Sequence, residues 1–296
     1  NCTVSYNPEF IAQGTILRDQ LYPDMVLIGE GSPESGDIVE EIYKRHTHNN
    51  PKVVKMTRTE AEICKIALNC FITTKIAFAN MIGDIASLSN CNPEPVLEAI
   101  GADSRVGPKC LRYGYGYGGP CFPRDNKALG NFAYNIGVKN DFPKLIDNIN
   151  YRQTTRLIKI IKFIKNKLKK KINVGILGLT YKKDTNIIND SQGYELIKKI
   201  HSQKIGINNI FVFDRFIKDF SILKNNSLVK IDMKLTDIVK HSDVLFIMYK
   251  DEFFLKLKHI KPKKGKIIVD CWGLLNHIHK SFKIYKLGTN YKNNIK

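Results

Sequence analysis

The sequence predicts an α/β protein in three parts. Apolar residues recur at helical spacing from about Thr57 to Leu88, which is typical of one long helix. From Lys171 onward, short apolar runs alternate with helical segments, which is typical of a doubly wound parallel sheet. We therefore expect a first part over residues 1–56, a central helical domain over 57–165 and a second α/β domain over 166–296.

The elements of the first two parts follow from caps and periodicity. Ser32-Pro33 begins a helix that runs to about His46, and Thr57 or Thr59 caps the long helix. The predicted strands are Cys2–Ser5, Met25–Ile28 and Val53-Val54. Further helices are predicted at Pro93–Ile100, from Pro123, and from Phe142 to about Leu168.

The last part alternates strands and helices. Its predicted strands are Ile172–Gly178, Ile210–Phe213, Val244–Met248 and Lys266–Asp270, with helices at about Gly193–Ser202 and Leu235–His241. Gly175 and Gly178 mark a tight glycine turn after the first of these strands. That turn lacks the third glycine of a dinucleotide-binding fingerprint.

Length and composition exclude several classes of protein. The chain has 296 residues, 43% hydrophobic and 25% charged, as expected for a folded protein of about two domains. Lys75 and Asp84 interrupt the longest apolar stretch, so we predict no membrane span, and no secretory signal is visible. Seven cysteines without a C-x-x-C pair argue against a disulfide framework and a zinc site. They favour a reducing, cytoplasmic compartment.

The net charge of +19 is uneven along the chain. Residues 1–150 carry 15 Lys and Arg against 17 Asp and Glu, whereas the rest carries 32 against 11. A basic half can bind polyanions, or it can reflect a lysine-rich drift in composition. Because lysines outnumber arginines and no nucleic-acid motif accompanies them, we interpret the charge as drift and predict no specific nucleic-acid partner.

A glycine-rich loop ends in the most specific candidate residue. The loop reads Gly114-Tyr-Gly-Tyr-Gly-Gly-Pro-Cys121, and a helix follows it. Glycines let backbone approach a ligand closely, and a thiol at a helix N-terminus has a lowered pKa. Asp125 lies one helical turn further on. The alternative is a buried structural cysteine, but beside this loop we favour a nucleophile that forms and hydrolyses a thioester.

A second candidate pair lies on the long helix. Lys65 and Asn69 are spaced i, i+4, so their side chains leave one face of the helix. An ammonium and an amide can stabilise an oxyanion and orient a hydroxyl. The alternative for such a pair is an ordinary solvated surface pair.

These motifs together resemble those of a known family. Their order along the chain is that of the nucleotide-sugar dehydrogenases, and the sequence resembles the UDP-glucose 6-dehydrogenases most closely. The resemblance implies a Rossmann-like C-terminal domain, a remnant of an N-terminal Rossmann-like NAD-binding domain and a central dimerisation helix. The motifs that carry it are Asn7-Pro-Glu-Phe-Ile-Ala-Gln-Gly14, Glu62 with Lys65 and Asn69, the Cys121 loop, Gly178-Leu-Thr-Tyr-Lys182 and Asp214.

The resemblance implies roles for individual residues. Cys121 would be the nucleophile, Asp125 would position the hydrolytic water, Lys65 would stabilise the oxyanion, Asn69 would bind the reacting hydroxyl, and Glu9 would assist proton or water handling. Arg105 would reach into the site of a neighbouring subunit, Gln13 and Gly119 would contact NAD, and no metal is implied. The other implied substrate-binding residues are Phe10, Arg112, Tyr113, Gly114, Tyr115, Gly116, Tyr117, Gly118, Tyr181 and Lys182.

Three features depart from the family pattern. Ile187 and Asn189 stand where an acidic residue and a cofactor-associated arginine are usual, and Gly273 stands where an arginine is expected. The sequence also has no G-x-G-x-x-G in a βαβ unit. We therefore expect the 296-residue chain alone to bind a UDP-sugar without forming NADH.

The implied reaction is the NAD-dependent oxidation of UDP-glucose to UDP-glucuronate through an aldehyde and a cysteine-bound thioester. One alternative is a dehydrogenase of another nucleotide sugar, GDP-mannose or a UDP-N-acetylhexosamine. Another is a non-catalytic UDP-sugar-binding or dimerisation partner. The expected partners are a second copy, bound through the helix at 57–88, and a separate N-terminal NAD-binding polypeptide.

Overall fold

The computed structural model describes residues 2–224, 226–231, 233–262, 265–275 and 282–288. These residues form two compact units. Unit 1 comprises residues 1–71 and 125–140, and unit 2 comprises residues 72–124 and 141–296. This division differs from the three predicted domains, whose boundaries at residues 56 and 165 stay a prediction.

The α/β class predicted from the sequence is confirmed. The helices are Ile16–Leu21 (α1), Pro33–His46 (α2), Arg58–Leu88 (α3), Pro93–Ala102 (α4), Phe122–Asn135 (α5), Phe142–Leu168 (α6), Gln192–Ser202 (α7) and Leu235–His241 (α8). The strands are Met25–Glu30 (β1), Lys52–Thr57 (β2), Val174–Leu177 (β3), Ile210–Phe213 (β4), Val229–Lys230 (β5), Val244–Ile247 (β6), Lys266–Asp270 (β7) and Phe282–Lys286 (β8). Short 3-10 segments occupy Ser221–Leu223 and Glu252–His259.

Unit 1 is built around two parallel strands. β1 pairs with β2 from Met25 opposite Lys52 to Glu30 opposite Thr57. The predicted strand at Cys2–Ser5 is wrong, because only the next residue pairs: Tyr6 exchanges backbone hydrogen bonds of 2.8 and 2.7 Å with Gly29. The short helix α1 was not predicted.

Unit 2 contains a six-stranded parallel sheet in the order β5-β4-β3-β6-β7-β8. Apolar residues of α6 and α7, Ile161 and Leu196 among them, form a core with one face of the sheet. Ile238 of α8 and Phe254 form a second core that includes Leu245 of the sheet. Helices therefore cover both faces, as the alternating pattern predicted, whereas the short strand β5 and the edge strand β8 were not foreseen.

Side-chain caps explain where two of the long helices begin. Ser32 and Ser35 form a reciprocal capping box at α2, with Pro33 in its first turn. At the start of α3, the Glu60 carboxylate accepts hydrogen bonds of 2.8 Å from both the backbone and the hydroxyl of Thr57. Thr57 is thus the cap that the sequence suggested, and Thr59 lies inside the helix.

Candidate functional site

Cys121 is exposed and lies directly before α5, in unit 2. Pro123 occupies the first turn of this helix, as the sequence predicted. The thiol therefore lies beside the unpaired N–H groups of a helix N-terminus, the position that the sequence predicted for it. The residue after it, Phe122, packs edge-to-face on Tyr117 with ring centroids 6.1 Å apart.

The glycines of the loop before Cys121 face protein atoms. A Cβ at Gly114 would lie 3.2 Å from the Cys271 carbonyl, and a Cβ at Gly119 would lie 2.8 Å from the ring of Tyr181. At Gly116 and Gly118 a Cβ would overlap Asn150 and the Asp190 carbonyl. We expected these glycines to open the loop to a ligand; the structure shows that they also let the loop pack closely against its own domain.

The two tyrosines of the loop, and Tyr113 directly before it, also point into the protein. Tyr115 and Tyr117 are buried, and burial raises the pKa of Tyr115 well above its ordinary value. Burial likewise raises the pKa of Tyr113, whose ring lies against Gly83 of α3 and whose hydroxyl donates to Asp84 at 3.1 Å. Contacts of Tyr115 and Tyr117 with a substrate would therefore be made through their backbone.

Four residues outside the motifs hold this loop, and sequence reasoning missed all of them. Asn80 accepts from the Gly114 N–H at 3.2 Å and donates to the Tyr115 carbonyl at 3.3 Å. Arg156 donates to the Gly114 carbonyl at 3.0 Å and also to Asp84 and the Tyr113 hydroxyl. Asn150 and Gln192 hold Tyr117. The signal that could have indicated them was the presence of polar residues on the inward faces of α3, α6 and α7.

Tyr181 lies next to the cysteine loop. Its pKa is raised to about 12, first by burial and then by the negative charge of Cys121. The Lys182 ammonium lies 5.5 Å from the centre of the Tyr181 ring. The Tyr181 N–H donates to the Ile187 carbonyl at 3.0 Å, and the Gly119 N–H donates to the Asn189 carbonyl at 2.8 Å.

The atypical residues at three positions have local explanations. Ile187 and Asn189 make these contacts through their backbone, so the contacts do not require the side chains usual in the family. Gly273 has a φ of +63°, a left-handed backbone conformation that is energetically costly for residues with a side chain, arginine included. Its position therefore suits glycine in this chain.

Arg105 and Arg112 are both exposed. Asp103 orients the Arg105 guanidinium through hydrogen bonds of 3.0 Å from Nε and 2.7 Å from Nη2. Lys75 of α3 donates to the carbonyls of Val106 and Gly107 at 2.9 and 3.0 Å and so fixes the turn that carries Arg105. The structure brings this turn to the exposed surface of unit 2.

The remaining candidate residues belong to unit 1. Lys65 donates to the Glu9 carbonyl and lies 4.4 Å from the centre of the Phe10 ring. Gln20 donates to the Glu9 carboxylate at 3.1 Å. Glu9 and Phe10 line a cavity of about 370 Å³, together with Tyr43. The structure thus brings Lys65 next to the consecutive residues Glu9 and Phe10, which lie far from it in the sequence.

Asn69 and Asp125 form a direct pair in unit 1. The Asn69 amide donates to the Asp125 carboxylate at 2.6 Å, and Asp125 is buried. This bond fixes the amide orientation, because its nitrogen faces the carboxylate. Lys65 and Asn69 thus each contact a different candidate residue, Lys65 the Glu9 carbonyl and Asn69 the Asp125 carboxylate.

The described strand-to-helix turns do not fit the pyrophosphate of NAD. Between β1 and α2, a Cβ at Gly31 would overlap the Val4 carbonyl, and the capping box occupies the start of α2. After β3, the Tyr249 ring covers Gly178, and the Ser191 side chain caps α7. Of the two residues implied to contact NAD, Gly119 is packed against Tyr181, and Gln13 lies in a turn of unit 1.

Metal-binding side chains and membrane-spanning length can both be assessed for the described part of the chain. No group of three or more His, Cys, Asp or Glu side chains there could hold a metal ion. By length and composition alone, α3 could cross a membrane. Two of its charged residues are nevertheless engaged within unit 2, Lys75 with the turn at Val106 and Asp84 with Arg156. These contacts favour a helix packed in protein.

Models of three domains of one family match this chain. The NAD binding domain of the UDP-glucose/GDP-mannose dehydrogenase family matches residues 1–47. The central domain of that family matches residues 59–152. Its UDP binding domain matches residues 175–277.

Individual relatives agree with the family models. The chain is 35% identical to the UDP-glucose 6-dehydrogenase of Rickettsia felis over 66% of this chain and 44% of that protein. It is 30% identical to the Rickettsia bellii enzyme of the same name over 97% of this chain and 66% of that protein. The structure of a UDP-glucose dehydrogenase from Pyrobaculum islandicum matches with a TM-score of 0.82 at 25% identity, covering 97% of this chain and 64% of that one. The chain thus spans at most about two thirds of the length of these three proteins.

Proposed function

Since this chain belongs to the UDP-glucose/GDP-mannose dehydrogenase family, we propose that it serves the oxidation of UDP-glucose to UDP-glucuronate, with Cys121 as the nucleophile. NAD is the cofactor of the family and accepts a hydride in each of the two oxidations. The observation that carries the proposal is an exposed thiol at the start of α5, on a loop that other side chains hold in place.

The chemistry proposed for Cys121 needs a thiolate. The thiolate sulfur adds to the C6 carbon of the sugar aldehyde, the carbonyl electron pair moves to oxygen, and that oxygen takes up a proton. Loss of the C6 hydride, which NAD would accept, together with loss of the hydroxyl proton to a base leaves a thioester. Water then attacks the thioester carbonyl, and the Cys121 sulfur departs with its electron pair as UDP-glucuronate is released.

The unit 1 residues supply groups suited to the other steps. The Lys65 ammonium can stabilise an oxyanion, and the free oxygen of the oriented Asn69 amide can accept a hydrogen bond from a hydroxyl. Asp125 can position a water molecule for thioester hydrolysis, and Glu9 can accept a proton. Gln13 and Gly119 remain the proposed contacts with NAD.

Nucleotide recognition is proposed for unit 2. Exposed Arg112 and the Tyr181-Lys182 pair offer positive charge and a ring beside the cysteine loop, which suits a diphosphate sugar. Arg105, already oriented by Asp103, is proposed to reach a substrate bound to a second copy of the chain. We propose a cytoplasmic homodimer in which α3 forms the interface.

The experiment that tests the proposal needs no cofactor. The aldehyde derived from UDP-glucose should protect Cys121 from iodoacetamide, because the sulfur adds to C6, and protection should need a lower concentration than with UDP-glucose itself. Mass spectrometry of the labelled peptides measures this protection. Equal labelling of Cys121 with and without the aldehyde would contradict the proposal.

A second candidate is the oxidation of GDP-mannose, because the matching family models cover both substrates. Calorimetry with UDP-glucose, GDP-mannose and a UDP-N-acetylhexosamine separates these candidates. Tightest binding of UDP-glucose is the expected result. Binding of a UDP-sugar without any reaction of Cys121 would instead favour a non-catalytic binding partner.

A further inference from the structure

Tyr117, four residues before Cys121, is held by side chains on one face of α6. Asp147, Asn150 and Thr154 follow the i, i+3, i+7 spacing, so their side chains share a face of the helix. Each of the three takes part in a chain of hydrogen bonds that ends at Tyr117. No motif in the sequence singles out this stripe of polar residues.

Two of these residues bind Tyr117 directly. The Tyr117 hydroxyl donates to the Asp147 carboxylate at 2.5 Å. The Tyr117 N–H donates to Asn150 Oδ1 at 2.8 Å, and Asn150 Nδ2 donates to the Tyr117 carbonyl at 2.9 Å. Asn150 therefore pairs with the loop backbone as a neighbouring strand would, and both ends of its amide are used.

A second amide supports the same residue from α7. Gln192 Nε2 donates to the Tyr117 carbonyl at 3.1 Å, and Gln192 Oε1 accepts from the Thr154 hydroxyl at 2.9 Å. Gln192 and Thr154 are buried, so these bonds are shielded from water. The carbonyl of Tyr117 is thus held by residues from two helices.

The contacts with α6 extend to Phe122, the residue that follows Cys121. Tyr117 and Phe122 pack against each other, and Ile146 and Ile149 of α6 belong to the same apolar cluster. Cys121 therefore lies between two residues that are both anchored on α6. Because the loop backbone is fixed before any ligand binds, little conformational entropy is lost when it does.

We propose that Asn150 is a positioning residue that fixes the substrate loop through the Tyr117 backbone and thereby places Cys121; this rests on the proposed function. Asn150 lies directly against Gly116, since a Cβ at Gly116 would overlap Asn150 Oδ1. The absence of a side chain at Gly116 is what lets the Asn150 amide reach the loop.

The test compares Asn150→Ala with Asn148→Ala, an exposed asparagine on the same helix. Two readouts are used: the dissociation constant for UDP-glucose and the iodoacetamide labelling rate of Cys121 relative to Cys91, an exposed thiol in the same molecule. Asn150→Ala should weaken UDP-glucose binding about tenfold, the scale of one or two lost hydrogen bonds, and change the relative labelling rate of Cys121. Asn148→Ala should change neither.

Two further variants separate positioning from general stability. Asn150→Asp keeps the acceptor for the Tyr117 N–H but places an oxygen against the Tyr117 carbonyl. Although aspartate is about the size of asparagine, this variant should also bind UDP-glucose more weakly. Gly116→Ala should weaken binding in the wild-type background and cause little further loss in Asn150→Ala, because the overlapping atom is gone. Fully additive losses would overturn the inference.

The outcomes distinguish this inference from the proposed function. If Asn150→Ala binds UDP-glucose as the wild type does and labels at the same relative rate, the positioning role is wrong. If the wild type itself does not bind UDP-glucose, the proposed function is wrong. The relative labelling of Cys121 then decides the Asn150 role without ligand, and an unchanged rate overturns it.

Discussion

The Asn69 amide donates a 2.6 Å hydrogen bond to the buried carboxylate of Asp125. The bond joins α3 to the first turn of α5, across 56 positions of sequence. A hydrogen bond to an ionised group is stronger than one between neutral groups, and a buried carboxylate that loses its donor is costly. The pair therefore contributes to stability as well as to the proposed chemistry.

Removing the donor should destabilise unit 1. In Asn69→Ala the Asp125 carboxylate loses a partner, and we expect the free energy of unfolding to fall by about 1–3 kcal/mol. Chemical denaturation followed by circular dichroism measures the change. Asp125→Asn in the Asn69→Ala background should recover part of the loss, because a buried charge is removed; no recovery would contradict this account.

The sequence predicted the main helices and strands because their caps and periods are local. Ser32-Pro33 and Thr57 with Glu60 act within one turn, and the pattern of α6 ended at Leu168 as observed. The parallel sheet of unit 2, with helices on both faces, also follows from the local alternation of strands and helices. The strand expected at Cys2–Ser5 failed because pairing there depends on β1, a partner 20 or more residues away.

The side-chain contacts within the candidate site were harder to predict from the sequence. Motifs pointed to Cys121, Lys65 and Asn69, whose spacing is local. They did not point to Asn150 or Arg156, because these side chains act on the loop only after α6 has packed beside it. The four loop glycines were assigned to ligand approach, yet their Cβ positions are filled by residues distant in sequence.

Cys121 should be the thiol that iodoacetamide labels first at neutral pH. Four of the described cysteines are exposed: Cys2, Cys91, Cys110 and Cys121. Of these four, Cys121 is the one that directly precedes a helix, α5. A thiol beside the N-terminus of a helix is the kind most suited to react as a nucleophile. Peptide mass spectrometry after brief labelling measures the order, and earlier labelling of Cys64, Cys70 or Cys110 would remove support for the nucleophile.

Gly118→Ala should disrupt the loop more than its small size suggests. The added Cβ would overlap the Asp190 carbonyl, which is backbone and cannot rotate away. We expect loss of UDP-glucose affinity and a lower melting temperature. Gly137→Ala is the control: Gly137 has open space around it, so that variant should lose stability through its positive φ of +90° but keep its affinity for UDP-glucose.

Ile85→Glu should disrupt the proposed dimer. Ile85, Met81 and Phe78 are exposed apolar residues on the unit 2 portion of α3, and a charge among them would have to be buried in an interface. Light scattering should give a dimer for the wild type and a monomer for the variant at micromolar concentration. A monomer mass for the wild type across that concentration range would contradict the dimer proposal.

Lys199 provides a pH-dependent term in the stability of unit 2. Burial lowers its pKa to about 8, although its ammonium donates to the Tyr151 carbonyl at 2.9 Å and to the Thr155 hydroxyl at 3.1 Å. The pKa in the unfolded chain is about 10.4. Between these two values the unfolded state binds more protons, so the free energy of unfolding contributed by this group rises with pH.

The matched variant is Lys199→Met, which keeps the chain length and removes the charge. Relative to this variant, the wild type should gain stability as the pH rises from 8 to about 10.4 and show a constant difference below pH 8. Melting temperatures of both proteins at pH 7, 8, 9 and 10 measure the difference. A difference that stays flat over this range, or that changes in the opposite direction, would show that Lys199 remains charged in the folded protein, held by Tyr151 and Thr155.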